Sequence, residues 1–304
     1  MKKDIYQKVT NKIIADLKQG ELTWLKPWSA GNTDGRIIKP LRHNGQPYNG
    51  INVLMLWGAA VDCGFVSPHW MTFKQAKQMG AHVKKGERGN LVVYANTITK
   101  TEEQENGEEE ERKIPFMKGY SVFNVEQIEG LPEHYYAKPP QVIAPAQRID
   151  HADRFFDALG ADIRDGGAKA YYSGASDHVQ MPSFQAFRSP ESYYATLAHE
   201  LTHWTKHKSR LDREFGRKKW GDEGYAREEL VAELGAAFLC ADLALTPEPG
   251  TDYAAYIQSW LKVLKNDKRA IFSAAAHAQR AADYLHSLQP LAEEQPKQAE
   301  GVAA

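Results

Sequence analysis

Apolar residues recur every three to four positions through Ile5, Val9, Ile13, Ile14 and Leu17, which predicts a helix over residues 4–19 that starts at Asp4 and stops at Gly20. Residues 52–61 form an apolar run long enough for a buried helix. Trp70-Met71-Thr72-Phe73 predicts a strand entering a short helix over 74–80, and residues 91–95 and 119–125 predict two further strands. The acidic stretch between those strands, residues 100–112, is expected to be a mobile hairpin tip projecting into solvent. Gly130 and prolines 132, 139, 140 and 145 mark a linker over 129–147. Helical periodicity resumes over 149–159, and Ala170-Tyr171-Tyr172 opens a strand. Residues 177–181 alternate and end at Pro182, the pattern of an edge strand. Two helices follow, one capped by Ser189 and running through Trp204, the other over 225–239. Residues 252–288 are helical and alanine-rich, with Trp260, Leu264, Ile271 and Leu285 facing inward, and 289–304 read as a disordered tail. The expected fold class is α+β: a small α+β domain with a mainly antiparallel sheet over 1–128, the linker, and a mostly helical domain with a small sheet over 148–288.

The helix after Ser189 carries the chemistry. Its residues His199-Glu200-Leu201-Thr202-His203 read His-Glu-x-x-His, which puts two imidazoles one turn apart on one face, where they can share a metal ion. Glu200 is displaced around the helix, so it can hold a metal-bound water and take its proton. Ser189-Pro190-Glu191 supplies an N-cap, a proline at the first helical position and early negative charge.

A third ligand is available on the next helix. Its apolar stripe runs through Leu230, Leu234, Ala237 and Phe238, while Glu229 and Glu233 sit four apart on another face among Ala232, Gly235 and Ala236. Two carboxylates among small residues are costly to bury unless cations face them. The small residues would let this helix pack close to the first. Glu229 is assigned as third ligand, with Glu233 accepting a hydrogen bond from a ligand histidine's other nitrogen, although the opposite assignment stays open. An ordinary acidic helix face is the competing explanation, and it leaves Glu228 exposed. Two histidines, one glutamate and an open fourth position make a catalytic rather than a structural site, with Zn2+ the expected ion and Mn2+ or another divalent metal possible. His178 falls in an alternating strand and is read as a strand residue. Tyr194, Tyr225 and His207 are candidates to stabilise an oxyanion.

Charge changes the picture of the N-terminal part. Residues 1–100 hold 15 Lys and Arg against 6 Asp and Glu, which points to phosphate-bearing partners. Aromatic residues interleave with these cations in Trp24, Lys26, Trp28, Arg36, Arg42 and Tyr48, a combination that suits single-stranded nucleic acid, with Trp24 and Trp28 as core anchors the alternative. Lys84-Lys85-Gly86-Glu87-Arg88-Gly89 is a tight basic turn that could meet a phosphate, with a plain hairpin turn as the alternative. Lys74 and Asn52 complete the candidate DNA-binding set. Two cysteines offer no disulfide framework, no apolar run reaches membrane-spanning length, and the N-terminus lacks a signal-peptide core. A cytoplasmic protein without a membrane partner is expected.

The chain resembles the ArdC-type antirestriction proteins of conjugative plasmids, whose N-terminal half also occurs in plasmid primases. The resemblance spans roughly residues 4–288 and rests on Trp24-Leu25-Lys26-Pro27-Trp28, Tyr48-Asn49-Gly50-Ile51-Asn52, Trp70-Met71-Thr72-Phe73-Lys74-Gln75-Ala76, the basic turn 84–89, Val122-Phe123-Asn124-Val125-Glu126-Gln127 and the two metal-site helices. It implies a single-stranded-DNA-binding domain joined to a zincin-like metallopeptidase domain, in a protein that protects incoming plasmid DNA from restriction. It also places the strand over 177–181 at the border of a peptide-binding cleft. The competing class is a metallopeptidase that its DNA-binding domain delivers to a protein substrate, such as a host restriction component.

Overall fold

Asp4 caps the first helix, α1 (Ile5–Lys18), by accepting the backbone N–H of Gln7, and the buried stripe Val9, Ile13 and Leu17 follows the predicted period. The computed structural model describes residues 4–19, 38–103, 109–136, 145–216, 221–245 and 253–290. Gly20 and the tail beyond residue 290 lie outside these residues. A short strand, β1 (Leu41–Arg42), leads to α2 (Ile51–Cys63), which is buried almost throughout and ends at Gly64 in the left-handed conformation. Then come β2 (His69–Met71), α3 (Phe73–Gln78), β3 (His82–Val83), β4 (Asn90–Glu103), β5 (Glu109–Asn124) and β6 (Ile128–Glu129). Thr72 and Gln75 form a capping box that turns the chain from β2 into α3.

The main sheet runs β1-β2-β5-β4, with β1 and β2 parallel and the other pairs antiparallel. Strands β4 and β5 are longer than their apolar cores suggest. They stay in register out to Glu103 opposite Glu109, so most of the acidic stretch is strand rather than tip. β-branched Thr97, Ile98, Thr99 and Thr101 carry the strand preference past the apolar run. The linker also begins later than its composition indicates. Leu131 and Tyr135 are buried in a small cluster with Met71, Ala76 and Val125, and the Tyr135 hydroxyl donates to the His43 carbonyl at 2.7 Å.

The C-terminal part contains α4 (Pro145–Asp157), β7 (Asp162–Asp165), β8 (Tyr171–Ser173), β9 (His178–Met181), α5 (Pro190–Trp204), α6 (Glu223–Asp242), α7 (Tyr253–Asn266) and α8 (Ala270–Ser287). The expected edge strand over 177–181 is instead the central strand of the order β7-β9-β8. Val179 and Met181 are buried, and Pro182 falls just past the ladder, where its missing N–H costs nothing. His178 is a buried strand residue whose Nδ1 meets Ser176 Oγ at 2.8 Å. The architecture is thus α+β, with a sheet-containing N-terminal part and a predominantly helical C-terminal part bearing a small sheet.

The two parts are joined by one continuous apolar core. Val9, Ile13, Trp57 and Trp70 belong to the same buried cluster as Phe238, Trp260 and Ala275. The Trp57 and Phe238 rings lie 6.0 Å apart. Polar contacts tie the same seam: Thr10 Oγ1 donates to the Lys268 carbonyl at 2.7 Å, and buried Lys39 pairs with Asp242 at 2.7 Å. No helix among the described residues is long and apolar enough to cross a membrane. Phe238→Ala is expected to cost about 3–5 kcal/mol and to unfold both parts together. Hydrogen exchange read on β4–β5 and on α5–α6 checks this, and separate transitions for the two parts would contradict it.

Candidate metal centre

Helices α5 and α6 bring the site together. Ser189 accepts the backbone N–H of Ser192 at 3.1 Å, Pro190 opens α5, and Thr202 and Leu201 anchor its buried side. Asp222 caps α6 in the same way through Tyr225 at 2.8 Å. The helices cross with Gly235 against Thr202: a Cβ at position 235 would stand 2.5 Å from Thr202 Cγ2. Only glycine permits that approach, and it presses the acidic face of α6 against both histidines.

His199, His203 and Glu229 converge, each offering a ligand atom within 4.8 Å of the others. His199 Nε2 and His203 Nε2 are each 3.5 Å from the nearer Glu229 oxygen. Three ligands on a tetrahedral ion with bonds of about 2.0–2.1 Å would stand about 3.3 Å apart, so these separations fit a small divalent cation. Behind this face, His199 Nδ1 lies 3.3 Å from Glu233 Oε1 and His203 Nδ1 lies 2.9 Å from Glu228 Oε1. Each imidazole thus turns one nitrogen to the common centre and donates the other to a carboxylate, which fixes its tautomer and orientation. Glu229 is the carboxylate at the centre and Glu233 the one behind.

Glu228 rules against an ordinary acidic helix face, which would leave it exposed. It is buried, and Arg213 holds it with two bonds of 2.9 Å while also donating to Thr205 Oγ1 and the Thr202 carbonyl. Burial would push the Glu228 carboxyl up, but Arg213 and His203 outweigh it and hold it at about 2. Burial likewise opposes charge on His199, yet Glu229 and Glu233 raise it well above the ordinary histidine range. Glu228 and Glu229 raise His203 against the same opposition. A metal cation would take the place of those protons.

Glu200, next to His199 in the chain, is buried and is not one of the three residues that converge. Of the three oxyanion candidates, Tyr194 is committed to Asp153 and stacked on Phe156, and His207 bonds Ser209. Tyr225 is also engaged, its hydroxyl 3.2 Å from that of Tyr256 on α7, and burial, Tyr256 and Glu229 all push its pKa up; it is the candidate that stands beside Glu229. Glu228, Arg213 and Tyr256 are absent from the sequence-based set. Glu228 had one available signal, because two ligand histidines need two supporting acceptors. Arg213 lies in an aperiodic segment and Tyr256 on a distant helix, where no local pattern marks them.

The candidate DNA residues divide. Trp24, Lys26, Trp28 and Arg36 lie outside the described residues. Tyr48 is buried, and the Asn52 amide is spent on the Val93 N–H and carbonyl, both at 2.8 Å. Both therefore serve the fold, Asn52 by satisfying the outer side of strand β4. Lys74, Lys84, Lys85 and Arg88 are exposed, although Lys84 Nζ also donates to the Glu126 carbonyl at 2.9 Å. Arg42 is exposed with its guanidinium 5.3 Å from the Tyr48 ring centre.

Residues 3–123 match the N-terminal domain of anti-restriction factor ArdC, and residues 150–277 match the zincin-like metallopeptidases. The fold superposes on the metal-free crystal structure of the antirestriction ArdC protein from plasmid R388 with a TM-score of 0.79. Sequence identity is 49%, covering 94% of this chain and 98% of that one. The chain belongs to the ArdC family of antirestriction proteins. A Mn(II)-bound structure of the R388 ArdC protein also matches, at 47% identity, a TM-score of 0.77 and coverage of 96% of this chain and all of that one. Protein y4eC of Sinorhizobium fredii (strain NBRC 101917 / NGR234) is 42% identical over 94% of this chain and 92% of its own length. The Escherichia coli DNA primase TraC is 37% identical over 94% of this chain, which spans only 27% of that primase.

Glu228→Gln is expected to weaken metal binding about 10–100-fold, because His203 loses its supporting carboxylate. Its effect on metal-free stability has a defined pH dependence. The depressed Glu228 carboxyl adds stability that is present above its ordinary value of 4.5 and lost as pH falls toward about 2. Denaturant unfolding of both forms should therefore show a stability gap that narrows over that window. A gap independent of pH would contradict the pairing.

Proposed function

We propose that this ArdC-family antirestriction protein acts in the cytoplasm on incoming plasmid DNA, binding it as a single strand through its basic N-terminal part. The C-terminal part would hold Zn2+, or Mn2+ in its place, through His199, His203 and Glu229, with Glu233 and Glu228 orienting the histidines. The observation that carries this reading is the cluster of three ligand atoms within 4.8 Å, inside a chain that matches an ArdC protein over 94% of its own length and 98% of that protein's. That the R388 relative has a Mn(II)-bound structure supports a divalent ion for this chain as well. The excess of cations in residues 1–100 supports DNA as the partner, with exposed Arg42, Lys74, Lys84, Lys85 and Arg88 as phosphate contacts. We assign the DNA role to residues 1–128 and the metal role to residues 148–288, across the apolar core that the two parts share.

A second reading has its own support in Glu200. A bound cation would supply Lewis acidity at the site. Glu200 would accept the proton of an attacking water and return it to the leaving amine, and the Tyr225 hydroxyl would face the developing oxyanion. The chain would then be a metallopeptidase carried to a protein substrate on DNA, such as a restriction component.

Restriction of transferred plasmid DNA in a recipient cell separates the two. Full-length Glu200→Ala, shown to keep its metal and its DNA binding, is expected to protect as well as wild type. Loss of protection by that variant would make protection proteolytic and establish the second reading instead.

A further inference from the structure

Beyond their buried base, β4 and β5 leave the body of the protein as a two-stranded arm whose apolar side chains are not covered. The register places Val92 opposite Tyr120, Tyr94 opposite Lys118, Asn96 opposite Phe116 and Ile98 opposite Ile114, so these residues share one face. Val92 and Val122 are fully buried, and from them the same face runs outward into solvent. There Tyr94 is 50% exposed, Tyr120 37%, Ile98 55% and Ile114 40%. The Tyr94 and Phe116 rings meet edge to face at 6.0 Å. Large exposed side chains contiguous on one face of a strand pair are unusual in a protein that must stay soluble, and they mark a contact surface.

The charge on this surface says what the contact is. Between Val92 and Ile98 and between Ile114 and Tyr120 this face carries no Asp or Glu, and its cation is the exposed Lys118; the acidic residues begin farther out, at Glu102 opposite Glu110. Along β5 the exposed face reads Tyr120, Lys118, Phe116, a ring, a cation and a ring, each about 7 Å from the next. At the inner end the exposed Arg42 lies over the Tyr48 ring, and the register (Arg42 beside Trp70, Trp70 opposite Asn124) puts it on the same face of the sheet as Val122 and Tyr120. The basic turn 84–89 has charge but no such rings. Flat rings alternating with cations at the stride of an extended strand are what an unpaired polynucleotide requires: a surface for each base and a charge for the phosphates between. The stacking is sequence-tolerant, because every base has a face.

We propose that single-stranded DNA lies along this face of the β4–β5 arm, with Tyr94, Phe116 and Tyr120 stacking on bases and Lys118 and Arg42 meeting phosphates. The assignment rests on the single-stranded-DNA reading above and adds where the strand runs. It removes Tyr48 and Asn52 from direct contact, since they hold the arm's base, and adds three rings that the sequence pattern did not single out.

The test uses the full chain and a labelled oligo-dT strand, with binding followed by fluorescence anisotropy across a salt series. Tyr94→Ala combined with Phe116→Ala should weaken binding about tenfold or more at every salt concentration, leaving the salt slope unchanged because the rings carry no charge. Lys118→Gln should instead reduce that slope by about 1. Melting temperature and metal content identify variants that have lost their fold. Independently of any variant, wild type irradiated with a 5-iododeoxyuridine strand should cross-link on peptides carrying Tyr94, Phe116 or Tyr120. Wild-type affinity in the double variant, with cross-links confined to other segments, would overturn the assignment while leaving DNA binding intact. Absence of binding by wild type would overturn the DNA reading itself and this assignment with it. If the same two substitutions dissolve a dimer and leave DNA binding unchanged, the face belongs to a second copy and the assignment is wrong.

Discussion

The site depends on one close approach, Gly235 of α6 against Thr202 of α5. It brings Glu228, Glu229 and Glu233 against His199 and His203, all of them partly or fully removed from water. Burying three carboxylates on one helix face would be prohibitive in isolation, since an unpaired buried charge costs several kcal/mol. Here each is answered: Glu233 by His199, Glu228 by His203 and Arg213, and Glu229 by the two inward nitrogens. The arrangement is therefore tuned for a cation at its centre, where protons on the histidines otherwise stand in.

The metal centre and the N-terminal part are not independent modules on a string. α7 carries Tyr256, whose hydroxyl reaches Tyr225 beside Glu229, and Trp260, which stacks on Tyr256 at 5.9 Å and sits in the shared core. Just past its end, the Lys268 carbonyl accepts from Thr10 of α1, and Lys268 pairs with Asp4. α1 in turn packs on the base of the β4–β5 arm, where Ile5 approaches Gly119 so closely that a Cβ there would meet it at 3.2 Å. A chain of packed elements thus runs from the ligands to the arm, and a fold built this way needs both parts to be stable.

Much of this was legible in the sequence for a physical reason. The metal ligands lie on two helices whose caps, apolar stripes and i, i+4 spacing are local properties, so Ser189, Asp4 and the His199–His203 pair declare themselves. The small residues around Glu233 also announced close packing, and Gly235 supplies it. What stayed hidden depends on distant segments. Whether residues 177–181 are central or at an edge is decided by where β7 arrives. Arg213 reveals itself only when its loop folds back on Glu228. The arm's length was missed because strand propensity in Thr97, Ile98 and Thr99 was masked by the acidic run that follows, and the linker because Tyr135 finds its partner, His43, far back in the chain.

The claim that helix contact sets the metal centre is tested most directly by titrating the metal-free chain with Zn2+ in the presence of a competing chelator. Gly235→Ala improves intrinsic helix propensity by about 1 kcal/mol, yet it drives a methyl group into Thr202. It is predicted to lower metal affinity at least tenfold, and Thr202→Ala in the same chain, by removing the opposing atoms, is predicted to restore most of it. Wild-type affinity in Gly235→Ala, or a loss that Thr202→Ala does not repair, would show that the spacing of α5 and α6 does not govern the site.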